Sequence, residues 1–143
     1  MRRIPHLGLL AAVVLGIGAM QLLRTCAPIG RDVGNSAIAD AARVDAGAPQ
    51  ERYGAADLVM VVYTDYQCPA CRDAEPAMRQ ALREDGNMRV IYKDWPIFGE
   101  RSDRAAEVAL AAQYQGRYSA VHRQLMRAPL PIGEASLRAA VRA

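Results

Sequence analysis

Hydrophobic and polar positions along the chain change their spacing in a definite order. An unbroken apolar run from Leu58 to Tyr63 lies within a predicted strand, Asp57 to Thr64. Such continuity is typical of a strand covered on both faces in a parallel sheet. Helical spacing follows from about Pro69 to Arg83, and a second strand is predicted from Met88 to Asp94. Together these elements predict a right-handed βαβ unit.

The first predicted helix carries an apolar stripe and an internal proline. The stripe consists of Ala74, Met78, Ala81 and Leu82. Pro76 lies between them, and a proline inside a helix removes one backbone hydrogen bond and crowds the preceding turn. We therefore expect a kink about two turns after the start of this helix.

The pattern becomes entirely helical after Pro96 and Gly99, so residues of about 101–143 are predicted to form a helical subdomain. Ser102 is the expected cap of its first helix, which ends at Gly116. The apolar stripe of that helix is Ala105, Val108, Ala109 and Ala112; the second helix has Tyr118, Val121, His122, Leu125 and Met126; the third begins near Glu134 and has Leu137, Ala140 and Val141.

The N-terminal part does not have a globular pattern. From Leu7 to Leu23 the chain has no charged residue, with Arg2 and Arg3 before it. Residues 1–26 are predicted to be a signal peptide or a membrane anchor, and the anchor is favoured because no small-residue cleavage site closely follows. The arginines predict that the remainder is exported. Residues 27–54, rich in Ala and Gly, are predicted to be a flexible linker.

The charge balance of the chain argues against nucleic acid as a partner. The formal net charge of +3 is accounted for by Arg2, Arg3 and Arg24, which leaves fifteen basic and fifteen acidic residues beyond Cys26. A balanced domain has no electrostatic signature of nucleic-acid binding.

The sequence Cys68-Pro69-Ala70-Cys71 places two thiols between the first strand and the first helix. Backbone N–H groups at a helix N-terminus, together with the helix dipole, favour a thiolate. Proline suits the first helical position because the N–H that it lacks has no helical partner there. This predicts a redox dithiol with Cys68 as the nucleophile.

The small number of cysteines supports a redox role. The chain has three, and a closed zinc site takes four ligands, for which only His6 and His122 could be added to the dithiol. A redox dithiol is therefore favoured over a shared or intermolecular metal site, and we expect no cofactor and no metal.

The chain from about Leu58 onward resembles the DsbA-like branch of the thioredoxin superfamily. The resemblance depends on Val61–Cys71, on Arg89–Pro96 and on the helical segment Ser102–Met126. It implies an α/β fold, a thioredoxin-like βαβ unit with an inserted helical subdomain, over residues 55–143. It also implies an extracytoplasmic thiol:disulfide oxidoreductase whose partners are cysteine-containing exported proteins and a membrane redox enzyme.

The resemblance also implies roles for individual residues. Cys68 forms a mixed disulfide, and Cys71 resolves it. Asp65, three residues before Cys68, is a candidate for proton handling or, alternatively, a turn or cap residue. Tyr66, Pro69 and Ala70 are expected around the dithiol. Pro-Ala between the cysteines, where the strongest oxidants of the family carry Pro-His, predicts a less oxidising couple.

For several other side chains the sequence allows either a structural or a functional role. His122 is expected to be a hydrogen-bonded core residue rather than a catalytic base. Trp95 and Phe98 are expected to pack rather than to line a substrate groove. Arg72 is expected to be an exposed arginine rather than a support for the thiolate, and Tyr66 either covers the core or shapes access to the dithiol.

One departure from the family pattern leaves an alternative open. The family continues into a strand whose cis-proline faces the dithiol, then into a hairpin partner and a last helix. We expect these strands to be missing, with neither Pro129 nor Pro131 assigned as that proline. A sheet of two strands would be marginal on its own. The alternative function is therefore a non-catalytic, membrane-tethered remnant that acts, if at all, as a binding segment.

Overall fold

The computed structural model describes residues 12–21, 30, 34 and 36–142. The chain divides into two units, Met1–Gly34 and Asn35–Ala143. In the first unit, residues 12–21 are helical. No helix within the described ranges is both long enough and apolar enough to cross a bilayer. The N-terminal membrane or signal helix stays a prediction, and its flanking arginines, like Cys26, lie outside the described residues.

The described part of the second unit contains three strands and five helices. In chain order they are α1 (Ala37–Val44), β1 (Gln50–Arg52), β2 (Leu58–Thr64), α2 (Pro69–Asp85), β3 (Met88–Asp94), α3 (Glu100–Gln113), α4 (Tyr118–Arg127) and α5 (Glu134–Arg142). The predicted bounds of β2, α2 and β3 agree with these within two residues at each end. Helix α2 continues through Pro76.

The strands form one sheet in the order β1, β3, β2. Strands β2 and β3 are parallel, with Leu58 opposite Met88 and Thr64 opposite Asp94, and α2 connects them. The expected parallel βαβ arrangement is confirmed. Strand β3 is central and buried, whereas β2 is less covered than its apolar run predicted, because Leu58 and Tyr63 are more than half exposed. An apolar run by itself cannot distinguish a central strand from an edge strand.

Part of the segment expected to be a flexible linker, residues 27–54, has regular structure. The Ser36 hydroxyl accepts a hydrogen bond from the Ala39 N–H at 3.1 Å and thereby caps α1. Strand β1 pairs antiparallel with β3, with Glu51 opposite Val90. The expected two-stranded sheet therefore has a third strand. Its sequence, Gln-Glu-Arg, contains no apolar residue, so a search for apolar alternation does not detect it.

The helices α3, α4 and α5 follow the predicted stripes, except that Val108 is only partly buried and Val141 is exposed. Their buried residues include Ala105, Ala109, Ala112, Tyr118, Val121, His122, Leu125, Met126, Leu137 and Ala140. The apolar side chains among them pack in one core cluster with Val90 and Tyr92 of β3, and the His122 ring lies against Tyr92. The predicted cap of α3 is wrong, because Gly99 precedes the helix and Ser102 lies inside its first turn. The Ser102 hydroxyl is instead directed to a buried carboxylate, that of Asp65.

The inward face of α2 also differs from its predicted stripe. Ala74 and Ala81 are exposed, whereas Glu75 and Leu82 are buried. Glu75 is accommodated by an ion pair with Arg79 at 3.7 Å, and its other oxygen lies 3.6 Å from Nε2 of His122. An apolar period cannot reveal a carboxylate that is buried because it is paired.

Gly54 provides a test of how tightly the sheet is joined to the turn before β3. Its φ angle is 52°, and a Cβ atom there would lie 2.3 Å from the Gly86 carbonyl oxygen. Gly116 has a similar φ of 66° but open space around it. We expect Gly116→Ala to lower the free energy of unfolding by about 1 kcal/mol, from backbone strain alone. Gly54→Ala should cost about 3 kcal/mol, because backbone atoms must also move.

Urea unfolding of the two variants measures this difference. Gly116→Ala is the matched control, since both glycines are in the left-handed region and only one is enclosed. Equal losses of stability would contradict the close approach at Gly54.

Candidate active site

The dithiol lies where β2 ends and α2 begins. Cys68 is the N-cap residue of α2, and Pro69 is the first helical residue, as predicted. The Cys68 sulfur accepts a hydrogen bond from the Cys71 N–H at 3.4 Å. Both cysteines are free thiols and partly exposed, while Pro69 and Ala70 are exposed beside them. One otherwise unpaired N–H of the first helical turn is therefore directed at the Cys68 sulfur.

Cys71 lies in the first turn of α2 and has a different environment from Cys68. Burial raises the pKa of the Cys71 thiol; a hydrogen bond with the Asp65 backbone opposes this rise, and the nearby Cys68 sulfur reinforces it. The two sulfurs are thus chemically unequal. The partly exposed cap position suits the thiol that meets substrate, whereas the more retained proton of Cys71 suits the thiol that reacts second.

Asp65 is only 2% exposed, and both of its carboxylate oxygens are occupied. One oxygen accepts from the Gln67 N–H at 2.7 Å and from the Ser102 hydroxyl at 2.8 Å. The other accepts from the Ile97 N–H at 2.7 Å and from the Phe98 N–H at 3.3 Å. These bonds join the loop before the dithiol to the loop before α3. The turn or cap reading of Asp65 has direct geometric support, since none of the four donors is a cysteine.

Arg72 is the functional neighbour that sequence reasoning missed. It was expected to be an exposed arginine, but its guanidinium donates to the carbonyl oxygens of Tyr66 at 3.0 Å and Leu125 at 2.8 Å, and to that of Ala128. It therefore connects the dithiol loop to the C-terminal end of α4. Only its position directly after Cys71 hinted at a role.

Gln67 makes a second connection from the dithiol loop to the helical layer. Its side-chain amide donates to the Ile132 carbonyl oxygen at 3.3 Å and accepts from the Ile132 N–H at 3.2 Å. The peptide bond between Leu130 and Pro131, just before Ile132, is cis. The loop between α4 and α5 therefore lies against the residue that precedes Cys68.

A buried polar cluster forms the floor under this loop. Tyr66 is 1% exposed, and its hydroxyl lies 3.0 Å from Nδ1 of His122 and 3.1 Å from an Asp94 carboxylate oxygen. Tyr118 donates to the same oxygen at 2.7 Å. Burial raises the pKa of Asp94 and of both tyrosines. His122 is therefore a hydrogen-bonded core residue, as expected, and Tyr66 covers the core rather than shaping access.

An apolar groove of about 260 Å³ opens beside Cys71. It is lined by Tyr63, Thr64, Asp65, Cys71, Trp95 and Ile97. The Trp95 ring meets the Tyr63 ring edge to face at 5.3 Å, and Trp95 is still 57% exposed. Phe98 is 55% exposed. The expectation that Trp95 and Phe98 pack into the fold is wrong, because the strand end and the loop before α3 present them to solvent.

Comparison with known proteins agrees with this geometry. A family model described as thioredoxin matches residues 53–129, more than half of the chain. The match begins just before β2 and ends just after α4, so it includes the dithiol, the βαβ unit and two of the helices that pack on it.

Solved structures provide further similarity. A thioredoxin-like oxidoreductase from Silicibacter pomeroyi is 38% identical, with a TM-score of 0.68 over 72% of this chain and 60% of that one. A periplasmic thioredoxin-like protein from Salmonella enterica serovar Typhimurium is 25% identical, with a TM-score of 0.68 over 78% of this chain and 65% of that one. The chain thus spans less than two thirds of either protein.

A curated relative shares only a segment. Na(+)/H(+) antiporter NhaA 1 from Salinispora arenicola is 36% identical over 73 residues, which are 50% of this chain and 11% of the antiporter. The similarity concerns one small part of that protein. Together with the family match and the placement of the dithiol at the start of α2, these similarities lead to one conclusion: the chain belongs to the thioredoxin family, as a DsbA-like member of the superfamily.

Proposed function

We propose that this protein is an extracytoplasmic thiol:disulfide oxidoreductase that exchanges disulfides with exported proteins. The observation that carries the proposal is the position of the Cys68 sulfur at the N-cap of α2, within hydrogen-bond distance of the Cys71 N–H. The charge-free segment from Leu7 to Leu23 and the similarity to a periplasmic protein support export. Tethering to the membrane through that segment is part of the proposal.

The exchange proceeds in two displacements. The Cys68 thiolate attacks a substrate disulfide, so that a new sulfur–sulfur bond forms and one substrate thiolate leaves. Cys71 then loses its proton and attacks the Cys68 sulfur of this mixed disulfide. The second substrate thiolate leaves, the Cys68–Cys71 disulfide remains, and the substrate has gained two electrons. Oxidation of a substrate dithiol is the same sequence in reverse.

The groove beside Cys71 supports a polypeptide substrate. Tyr63, Trp95 and Ile97 form exposed apolar surface next to Cys71, the second thiol of the pair. An exposed apolar patch of this kind is typical of a surface that contacts another chain. Unfolded segments around an accessible cysteine present the apolar side chains that such a groove binds.

A redox partner must restore the dithiol after each turnover. Thiol–disulfide exchange with a membrane redox enzyme would do this by the same mixed-disulfide chemistry, and a tether would keep the dithiol near that enzyme. The reduction potential relative to the compartment decides the direction of electron flow.

Replacement of Cys71 should trap the intermediate. In Cys71→Ser, made together with Cys26→Ser so that no other thiol remains, Cys68 attacks a disulfide-bonded peptide and expels one peptide thiolate, and the mixed disulfide that forms cannot be resolved, so covalent complexes should accumulate. Cys68→Ser, also made with Cys26→Ser, should form far fewer, because burial raises the pKa of the remaining thiol, Cys71, which therefore holds its proton. Non-reducing electrophoresis and mass spectrometry measure both variants. Trapping through Cys71 in preference to Cys68 would overturn the assigned roles, and no trapping by either would favour a non-catalytic remnant.

The protonation of Cys71 gives a pH-dependent prediction. Burial raises the pKa of this thiol, so less thiolate is present at a given pH than in an unstructured peptide. Alkylation of Cys71 in the Cys68→Ser variant should therefore rise with pH at a higher midpoint than alkylation of a cysteine in a short peptide. Replacing Cys68 removes the part of the rise in the Cys71 pKa that Cys68 causes. Burial, which is the larger cause, remains. A midpoint at or below that of the peptide would contradict the geometry.

Asp65 can be tested as a positioning residue. Asp65→Asn keeps the shape but loses one acceptor oxygen, so backbone N–H groups of the two loops lose a charged partner. We expect a loss of about 3 kcal/mol in the free energy of unfolding, while the pH midpoint of Cys71 alkylation stays unchanged. Asp57→Asn, at an exposed carboxylate, is the matched control and should change stability by less than about 0.5 kcal/mol. A shifted midpoint without loss of stability would instead assign proton handling to Asp65.

A further inference from the structure

A second cavity, with a volume of about 150 Å³, lies between α2 and α4. We call it the arginine cleft, and it is lined by Arg72, Glu75, Pro76, Arg79, Arg83, Arg123, Met126 and Arg127. It contains neither cysteine, and none of its residues lines the apolar groove beside Cys71. Five of its eight lining residues are arginines, although the chain beyond Cys26 has as many acidic as basic residues in total.

The two carboxylates near the cleft are already used by two of its arginines. Arg79 lies 3.7 Å from Glu75 and 3.5 Å from Glu51, and Arg123 lies 3.6 Å from Glu51. Burial opposes ionisation of Glu51, but hydrogen bonds from Ser119 and Tyr53 and the charge of Arg79 keep its pKa below the usual range. Two negative charges thus offset two positive ones at the base of the cleft.

The other three arginines of the cleft form no ion pair with a described residue. Arg72 gives its hydrogen bonds to carbonyl oxygens, and although the charge of the adjacent Asp73 acts on it, no carboxylate forms an ion pair with it among the described residues. By bonding to Leu125 and Ala128 it also offsets the negative end of the α4 dipole, which would otherwise repel an anion. Arg83 and Arg127 are exposed at the rim, and neither forms an ion pair with any described residue.

We propose that the arginine cleft binds a phosphate-sized oxyanion. Guanidinium groups recognise phosphate oxygens through paired, charge-assisted hydrogen bonds, and Arg83 and Arg127 have donors available for them. The volume corresponds to about five water molecules at their share of liquid volume. That is room for one phosphate group with some water, but not for a nucleotide. The source is either free phosphate or the phosphate of an anionic lipid headgroup.

Occupation of the cleft would join the two elements that form it. Arg83 is on α2 and Arg127 is on α4, so an anion bound by both bridges the dithiol helix to the helical layer. Ligand binding to the folded state alone raises the free energy of unfolding in proportion to the logarithm of ligand concentration. The melting temperature should therefore keep rising with phosphate concentration after the binding isotherm has saturated.

Calorimetric titration of the full chain with inorganic phosphate, at constant ionic strength set with chloride, tests the site. The double variant Arg83→Gln/Arg127→Gln should weaken phosphate binding at least about tenfold. Arg101→Gln/Arg138→Gln, which removes two exposed arginines from α3 and α5, is the matched control and should bind as the parent chain does. Circular dichroism verifies that all variants are folded. Absence of phosphate binding, or equal affinity in the three proteins, would overturn the proposal.

Vesicles identify the source of the phosphate group. Sedimentation with phosphatidylglycerol-containing vesicles is compared with sedimentation with pure phosphatidylcholine for the same three proteins. Recruitment that requires Arg83 and Arg127, and that inorganic phosphate reverses, identifies a lipid headgroup as the ligand. Phosphate binding without such recruitment identifies the free anion. Both results support an oxyanion site, and they distinguish its two sources.

Discussion

The carboxylate of Asp65 is almost fully removed from water, and the geometry around the dithiol depends on it. A buried charge is expensive unless donors surround it. Here four donors do so, three backbone N–H groups and the Ser102 hydroxyl. The bonds determine where β2 ends, how the chain turns into α2, and how the loop after β3 reaches α3. The position of Cys68 at the helix N-cap is a consequence of that turn.

Arg72 makes a second set of hydrogen bonds that hold the dithiol loop in place. Its three carbonyl partners lie in two parts of the fold, so its guanidinium makes the loop and the end of α4 a single polar unit. Beneath them the Tyr66 hydroxyl meets His122 and Asp94, inside a region that apolar residues fill elsewhere. Networks of this kind specify one arrangement strongly, because a partner lost inside a low-dielectric interior is costly.

The surfaces on the two sides of α2 have different chemistry. Near its N-terminus, the groove lined by Tyr63, Trp95 and Ile97 is apolar and open to solvent. Along its length toward Arg83, the arginine cleft is cationic and smaller in volume. A polypeptide is held by the first kind of surface through burial of apolar area, whereas the second favours a small anion. One helix can therefore present its reactive sulfur to a protein and a separate site to a charged ligand.

The sequence alone determined the elements whose side chains repeat with a clear period, together with the dithiol. The βαβ unit, the stripes of α3, α4 and α5, and the cap position of Cys68 all follow from local spacing and from helix-terminus chemistry. Only the tertiary structure decided the partners of the charged residues. Glu75 is buried, Arg72 reaches α4, Ser102 turns toward Asp65, and a polar strand, β1, joins the sheet. The physical reason is that apolar burial depends on residue type and period, whereas a charged side chain is buried only where distant parts of the chain bring its hydrogen-bond partners.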